Sequence, residues 1–379
     1  MKRNLFLIGS IVWAAIAVTL IIVLIVLMQQ GNSFFNFNIF GGAAGLVKEE
    51  SFSLSGINEL YISANNHSIV ITLTDAADMS VRQYDSASDI LFTGRSEGGT
   101  LSINIPQRIG VMSFSFVNPR LEIELPRNYA NNVTLSTSSG SIRLSEAAQW
   151  ENASLSSNSG SIRLADVLVR GSFEARATSG SVNTGDIEAD SITVNTNSGS
   201  IRLGNLNAAG NISLRATSGS INSADSASLS FSAATNSGSM RIGNVDASGR
   251  FEASSSSGSH NFGNVRAETF SVRSNSGSLR YNGISGSGSM ESSSGSINCS
   301  GLDVKGDVTI TSSSGSQRIT LAANQNFELS IFTSSGSIRT PGINLSYSDN
   351  RGRNAFGTVG SGSGGTLTMR SSSGSVNIS

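Results

Sequence analysis

Residues 177–223 read ATSGSVNTGDIEADSITVNTNSGSIRLGNLNAAGNISLRATSGSINS and contain three copies of one motif. Each copy runs Thr or Asn, Ser, Gly, Ser, an apolar residue, then Asn or Arg. Their glycines, Gly180, Gly199 and Gly219, fall 19 and 20 residues apart. Between them apolar and polar residues alternate, as at Ile192 and Val194, Ile201 and Leu203, and Ile212 and Leu214. A period of two puts alternate side chains on one face of an extended strand, whereas a helix needs apolar residues three and four apart. The stretch therefore predicts short strands on a repeating unit of about twenty residues.

The motif extends in both directions. Its glycines are Gly140, Gly160, Gly180, Gly199, Gly219, Gly238, Gly258, Gly277, Gly295, Gly315, Gly336 and Gly374, spaced 20, 20, 19, 20, 19, 20, 19, 18, 20, 21 and 38. Fixed periodicity at this length marks a solenoid, whose units bury their apolar faces only against one another. The expected fold is all-β, a parallel β-helix over 136–379. Each unit offers three inward stretches: a pair after the glycine (Ile142 and Leu144), a single apolar residue after a turn (Leu206, Val245, Val265), and a second pair (Phe173 and Ala175). That suggests a triangular coil. The glycines are expected at corners where the backbone turns with positive φ and neighbouring coils approach closely. The four prolines, Pro106, Pro119, Pro126 and Pro341, all avoid the interval between Arg127 and Thr340, as a central ladder requires. Twelve or thirteen coils stacked ~4.8 Å apart would make a rod of roughly 60 Å.

The outward position between the first apolar pair is occupied by Arg143, Arg163, Asn183, Arg202, Asn222, Arg241, Asn261, Arg280, Asn298, Arg318 and Arg339. An unbroken arginine column would set like charges opposite one another, and alternation with Asn doubles their separation to ~9.6 Å. Two readings follow: charge spacing on a solvated face, or a basic stripe for anionic glycans. The alternation also allows a coil of about 39 residues with two corners.

Residues 51–135 hold irregular strand-like runs, ELYIS, SIVITL, MSVRQY, LSINI and LEIELP, which we read as capping coils for one edge. The other edge is SSSGSVNIS, in mid-pattern. Either the insertion from Ser346 to Gly365 folds over it, or it pairs with another chain in self-association.

Residues 5–28 carry no charge; as a helix they would run about 36 Å, enough to span a ~30 Å hydrocarbon core. Lys2 and Arg3 precede the run and the next charge is Lys48, so the positive-inside bias keeps 1–4 in the cytoplasm and sends the rest out. The expected location is a bacterial cytoplasmic membrane, single-pass, with 29–50 as a juxtamembrane linker. Phe34, Phe35, Phe37 and Phe40 stand at headgroup level or pack on the first coil. A cleaved signal peptide is the competing reading, although its apolar core is normally shorter.

Net charge is −1 with 13% charged residues, so no long-range field draws the chain to nucleic acid. Cys299 is the only cysteine, which excludes an intrachain disulfide. The aspartates Asp166, Asp186, Asp190, Asp225, Asp246, Asp303 and Asp307 fall in turns, mostly as singletons. His67 and His260 are too few for a zinc site without cysteines. His260 and Gln317 fill the inward slot that Ile201 and Ile297 fill elsewhere, and Cys299 replaces a leucine. We expect no catalytic residue, metal or cofactor.

The segments INELYISANNHSIVITLTDAADMSVRQY and LEIELPRN, then VTLSTSSGSIRL and the serial Ser-Gly-Ser units, resemble the bacterial putative-adhesin β-solenoid family over 51–379. The resemblance implies a right-handed β-helix outside the cell. With one N-terminal helix, the arrangement is similar to that of LiaG-like proteins of envelope-stress operons. Corners in that family often carry Asp after Gly; every corner here carries Ser. The expected function is a non-enzymatic rod that binds a cell-wall glycan or envelope protein, with an envelope-stress regulatory or sensing role as the alternative.

Overall fold

A computed structural model describes residues 35–37, 44–86, 90–106, 112–114, 118–348 and 352–379. The run 5–28, with Lys2, Arg3, Phe34 and Phe40, lies outside the described residues. Those that are described form β-strands and turns, and none of them belongs to a helix long and apolar enough to cross a membrane.

One turn of the chain makes three short strands. From Gly160 these are Ile162–Leu164 on a first face, Val167–Val169 on a second and Ser172–Ala177 on a third. Each pairs in parallel with its counterpart one turn later, Ile162 on Val182, Val167 on Ile187 and Phe173 on Ile192. A coil therefore takes about twenty residues, and the 39-residue alternative is excluded. Inward residues form a continuous buried column through the stack. The second face buries two residues per coil, such as Leu206 with Ala208 and Val245 with Ala247, where the sequence pattern showed one. Alanine is small enough to escape notice as a core residue, yet it suits the narrow interior.

The glycines stack directly. A Cβ on Gly160 would stand 1.9 Å from the carbonyl oxygen of Gly140, and one on Gly219 would stand 1.8 Å from that of Gly199. The expectation of positive φ is wrong for all twelve corner glycines, Gly140, Gly160, Gly180, Gly199, Gly219, Gly238, Gly258, Gly277, Gly295, Gly315, Gly336 and Gly374. What excludes a side chain is the adjacent coil. The polar residues around the glycine pair the corner backbone, whose groups would otherwise be unsatisfied. Thr196 Oγ1 donates to the Gly199 carbonyl at 2.6 Å, and the Gly140 N–H donates to Thr137 Oγ1 at 3.1 Å. The serine after the glycine makes a second ladder. The N–H of Ser161 donates to Ser141 Oγ at 3.2 Å, and that of Ser181 to Ser161 Oγ at 3.3 Å.

At both ends the spatial order departs from the chain order. Glu59–Ser63 lies between Thr100–Asn104 and Asn132–Thr137, and Ser68–Thr74 lies between Arg120–Pro126 and Ile142–Leu144. At the far end, Thr366–Ser371 inserts between Ile297–Ser312 and Phe327–Thr333. Val376–Ile378 likewise inserts between Gln317–Leu321 and Ile338–Arg339. A Cβ on Gly374 would meet the Gly315 oxygen at 2.1 Å, and one on Gly336 would meet the Gly374 oxygen at the same distance. The 38-residue gap is thus neither a simple loop nor a degenerate coil: the chain makes the outer coil first, then returns beneath it. Antiparallel strands line the outer coils, Asn354–Val359 on Phe327–Thr333 at one end. At the other, Thr93–Glu97 pairs with Thr100–Asn104 and Met79–Asp85 with Arg120–Pro126. They occupy backbone groups that an open solenoid edge would leave unpaired.

Candidate interaction surface

The first face carries the arginine column. In spatial order its outward positions are Arg143, Arg163, Asn183, Arg202, Asn222, Arg241, Asn261, Arg280, Asn298, Arg318, Asn377 and Arg339. Chain order alone would set Arg318 beside Arg339; the inserted strand places Asn377 between them. Apart from Arg143 beside Arg163, every arginine is then separated from the next by one coil. All seven arginines are exposed, and the five asparagines are half-buried. None of the seven has an ion-pair or hydrogen-bond partner among the described residues.

On the other faces several arginines have an acidic partner, although Arg176 and Arg215 on the third face also stand one on each side of an asparagine, Asn195. Arg176 pairs with Glu174, Arg250 with Glu252 and Arg273 with Glu291 on the third face, and Arg266 pairs with Asp246 on the second. Arg266 and Arg273 meet an acid of the adjacent coil, and Arg176 and Arg250 one two residues away in their own strand. On the first face the spacer is a neutral amide, and from Arg143 to Arg339 the column contains no acid.

The aspartates at the corner between the first and second faces are not singletons, contrary to the sequence reading. Asp166, Asp186, Asn205, Asp225, Asn244 and Asn264 form one ladder, each side chain taking the backbone N–H of the next. Asp166 accepts from Asp186 at 2.9 Å, Asp186 from Asn205 at 2.7 Å, and Asp225 from Asn244 at 2.8 Å. The backbone N–H and side-chain amide of Asn205 hold the Asp186 carboxyl below its ordinary value, and Asn244 does the same for Asp225. The signal was present in the sequence, since an Asx stands six residues after each glycine from Gly160 to Gly258. Beside this ladder an open groove of about 870 Å³ follows the rod, walled on the other side by second-face residues such as Leu168, Glu188 and Asn207.

Reactive side chains lie inside the stack. His260 is 1% exposed, with Nε2 2.8 Å from Ser255 Oγ and Nδ1 3.3 Å from Tyr281 Oη. Burial pushes its pKa down to about 4 and the Tyr281 phenol well above its ordinary value. Gln317 donates to the Arg370 carbonyl at 2.6 Å and to Ser312 Oγ at 3.0 Å. Cys299 is buried, which raises its thiol pKa. His67 is buried in the capping region, with Nε2 3.2 Å from Asp85 Oδ2. Among the described residues no group of three or more His, Cys, Asp or Glu side chains is placed to hold a metal.

A stack of short parallel strands with an apolar interior and polar ladders outside defines the β-solenoid class. Within it, the chain belongs to the Toastrack family DUF4097, whose model matches residues 57–259 and 210–379. No curated protein matches. Similar solved structures include a "putative adhesin" from Bacteroides fragilis NCTC 9343, 13% identical, TM-score 0.34, with 68% of this chain and 100% of that one covered. Another is a "putative cell adhesion protein" from Clostridium sporogenes ATCC 15579, 10% identical, TM-score 0.20, covering 87% and 98%. A third is a "putative adhesin" from Parabacteroides distasonis ATCC 8503, 12% identical, TM-score 0.24, covering 74% and 97%.

Proposed function

We propose that this protein is a non-enzymatic interaction rod held at the bacterial cytoplasmic membrane by residues 5–28, with residues 51–379 outside. The observation that carries the reading is the separation of chemistry from surface. His260, Tyr281, Cys299 and Gln317 are enclosed in the stack, while the outside repeats the same few polar groups coil after coil. Such a surface suits a partner that is itself long or repetitive. The charge-free run behind Lys2 and Arg3 supports the anchor and its orientation, and the coil is taken as right-handed, the usual hand of parallel crossovers.

The test is binding of the full chain in an uncharged detergent to isolated cell-wall and membrane fractions. Saturable binding is expected, and a linear, non-saturating signal on every fraction would remove the reading. Protease added to intact spheroplasts should cut the region after residue 51; full protection would reverse the topology.

A further inference from the structure

We infer that the arginine column of the first face binds an extended acidic polysaccharide bearing one carboxylate per disaccharide, laid along the rod. This deepens the interaction reading above and rests on it.

Three observations carry the inference. The first is spacing. Arg163, Arg202, Arg241, Arg280, Arg318 and Arg339 recur at every second coil, about 9.6 Å apart over ~48 Å. A stretched disaccharide repeat is of comparable length, so successive carboxylates meet successive guanidinium groups without the polymer coiling.

The second is the choice of spacer. If alternation served only to dilute repulsion, glutamate would do better than asparagine, because opposite charges in adjacent rungs attract. This protein uses acids in that way beside Arg266 and Arg273, which pair with Asp246 and Glu291 of the adjacent coil. It does not on the first face, where seven exposed guanidiniums have no ion-pair or hydrogen-bond partner among the described residues. Arginine offers a planar fork that matches a carboxylate with two parallel hydrogen bonds. The asparagines between them are half-buried, and an amide can both donate to and accept from a hydroxyl.

The third is the flank. In its first half the neighbouring corner carries the carboxylates of Asp166, Asp186 and Asp225, which repel a polyanion. From Asn244 onward that corner is neutral, with Asn264, Gly283 and Gly301 following. The stretch from Arg241 to Arg339 is therefore the strongest part of the site.

The experiment uses the full chain in a zwitterionic detergent and hyaluronan oligosaccharides of graded length, which carry one carboxylate per disaccharide. Neutral dextran and anionic lipid vesicles serve as comparisons. Affinity should rise about 10²- to 10⁴-fold from a disaccharide to an oligomer spanning six arginines, then level off. It should also fall steeply with salt.

The triple variant R241Q/R280Q/R318Q should lose this gain with unchanged melting, since those side chains touch no partner. R143Q/R163Q should lose less, and R176Q/R250Q/R273Q on the third face should bind as wild type does. N222E/N261E should melt no lower than wild type and yet bind far more weakly, which separates loss of the site from loss of the fold. Binding no tighter than to dextran, or equal binding by wild type, R241Q/R280Q/R318Q and N222E/N261E, would overturn the inference. So would arginine-dependent binding to vesicles without binding to the polysaccharide. Saturable capture of an envelope protein without polyanion binding would sink this inference and leave the interaction reading standing.

Discussion

Replacing Gly219 by alanine tests the stacking of coils at one of its tightest corners. The added Cβ would lie 1.8 Å from the Gly199 carbonyl oxygen, and real Cβ atoms are essentially never nearer than 3.0 Å, so the two coils must part at that corner. Three bonds stand beside the contact. Thr217 N–H reaches the Thr196 carbonyl at 3.1 Å, Ser218 N–H the Asn197 carbonyl at 2.8 Å and Ser220 N–H Ser200 Oγ at 3.3 Å. An opening of that size takes all three beyond hydrogen-bond length, at about 1 kcal/mol each, so G219A should cost about 3 kcal/mol. Gly301→Ala is the control, since its nearest neighbour, the Asn282 oxygen, is 3.3 Å away and its φ is ordinary; it should cost less than about 1 kcal/mol. Urea unfolding followed by far-ultraviolet dichroism measures both. If G219A unfolds within about 0.5 kcal/mol of wild type, direct glycine stacking is not what holds the corners at their spacing.

Asn222→Arg would complete a run of like charges from Arg202 to Arg241 and should lower stability by about 1–2 kcal/mol at low salt, less at 1 M salt; Asn222→Glu should act in the opposite direction, and thermal melting at two ionic strengths checks both. His260 is held neutral, with a folded pKa of about 4 against 6.5 when unfolded. The unfolded chain therefore binds the extra proton in that window, and stability that is full above pH 6.5 should fall by about 3 kcal/mol as pH drops towards 4. His260→Leu should remove that slope while costing about 1–3 kcal/mol at pH 7 by orphaning the Tyr281 hydroxyl. Identical slopes in wild type and variant would count against the assignment. Cys299, buried with a raised pKa, should react with an uncharged thiol reagent only as fast as the stack opens; rapid stoichiometric labelling of the native chain would contradict its placement.

Much of the architecture is legible in the sequence, because glycine spacing and alternation of apolar residues are local signals repeated many times. Register followed as well, since Ile142, Ile162, Val182 and Ile201 can align in only one way if all are to face inward. The exchange of coils at the ends was hidden because a repeat pattern carries no label of spatial order. A clue lay in the charges: Arg318 and Arg339 are consecutive in sequence, and only the interposed Asn377 restores the alternation. The corner carboxylates were missed for a different reason. Taken one at a time they look like ordinary turn residues, and their ladder emerges only when each is numbered from its own glycine. Positive φ at the corner glycines is what their usual role in turns predicts. Here the crowding comes from the neighbouring coil, a long-range contact that no local rule anticipates.

The two-coil rhythm of the first face bears on how such a protein changes length over evolutionary time. Duplicating a single coil would set two arginines or two asparagines against each other at the seam, while duplicating a pair leaves the succession undisturbed. The interval from Gly160 to Gly199, and again from Gly199 to Gly238, is 39 residues. Duplication of such a pair would keep the succession intact, and the adjacency of Arg143 and Arg163 is what a seam made by an odd number of coils would leave.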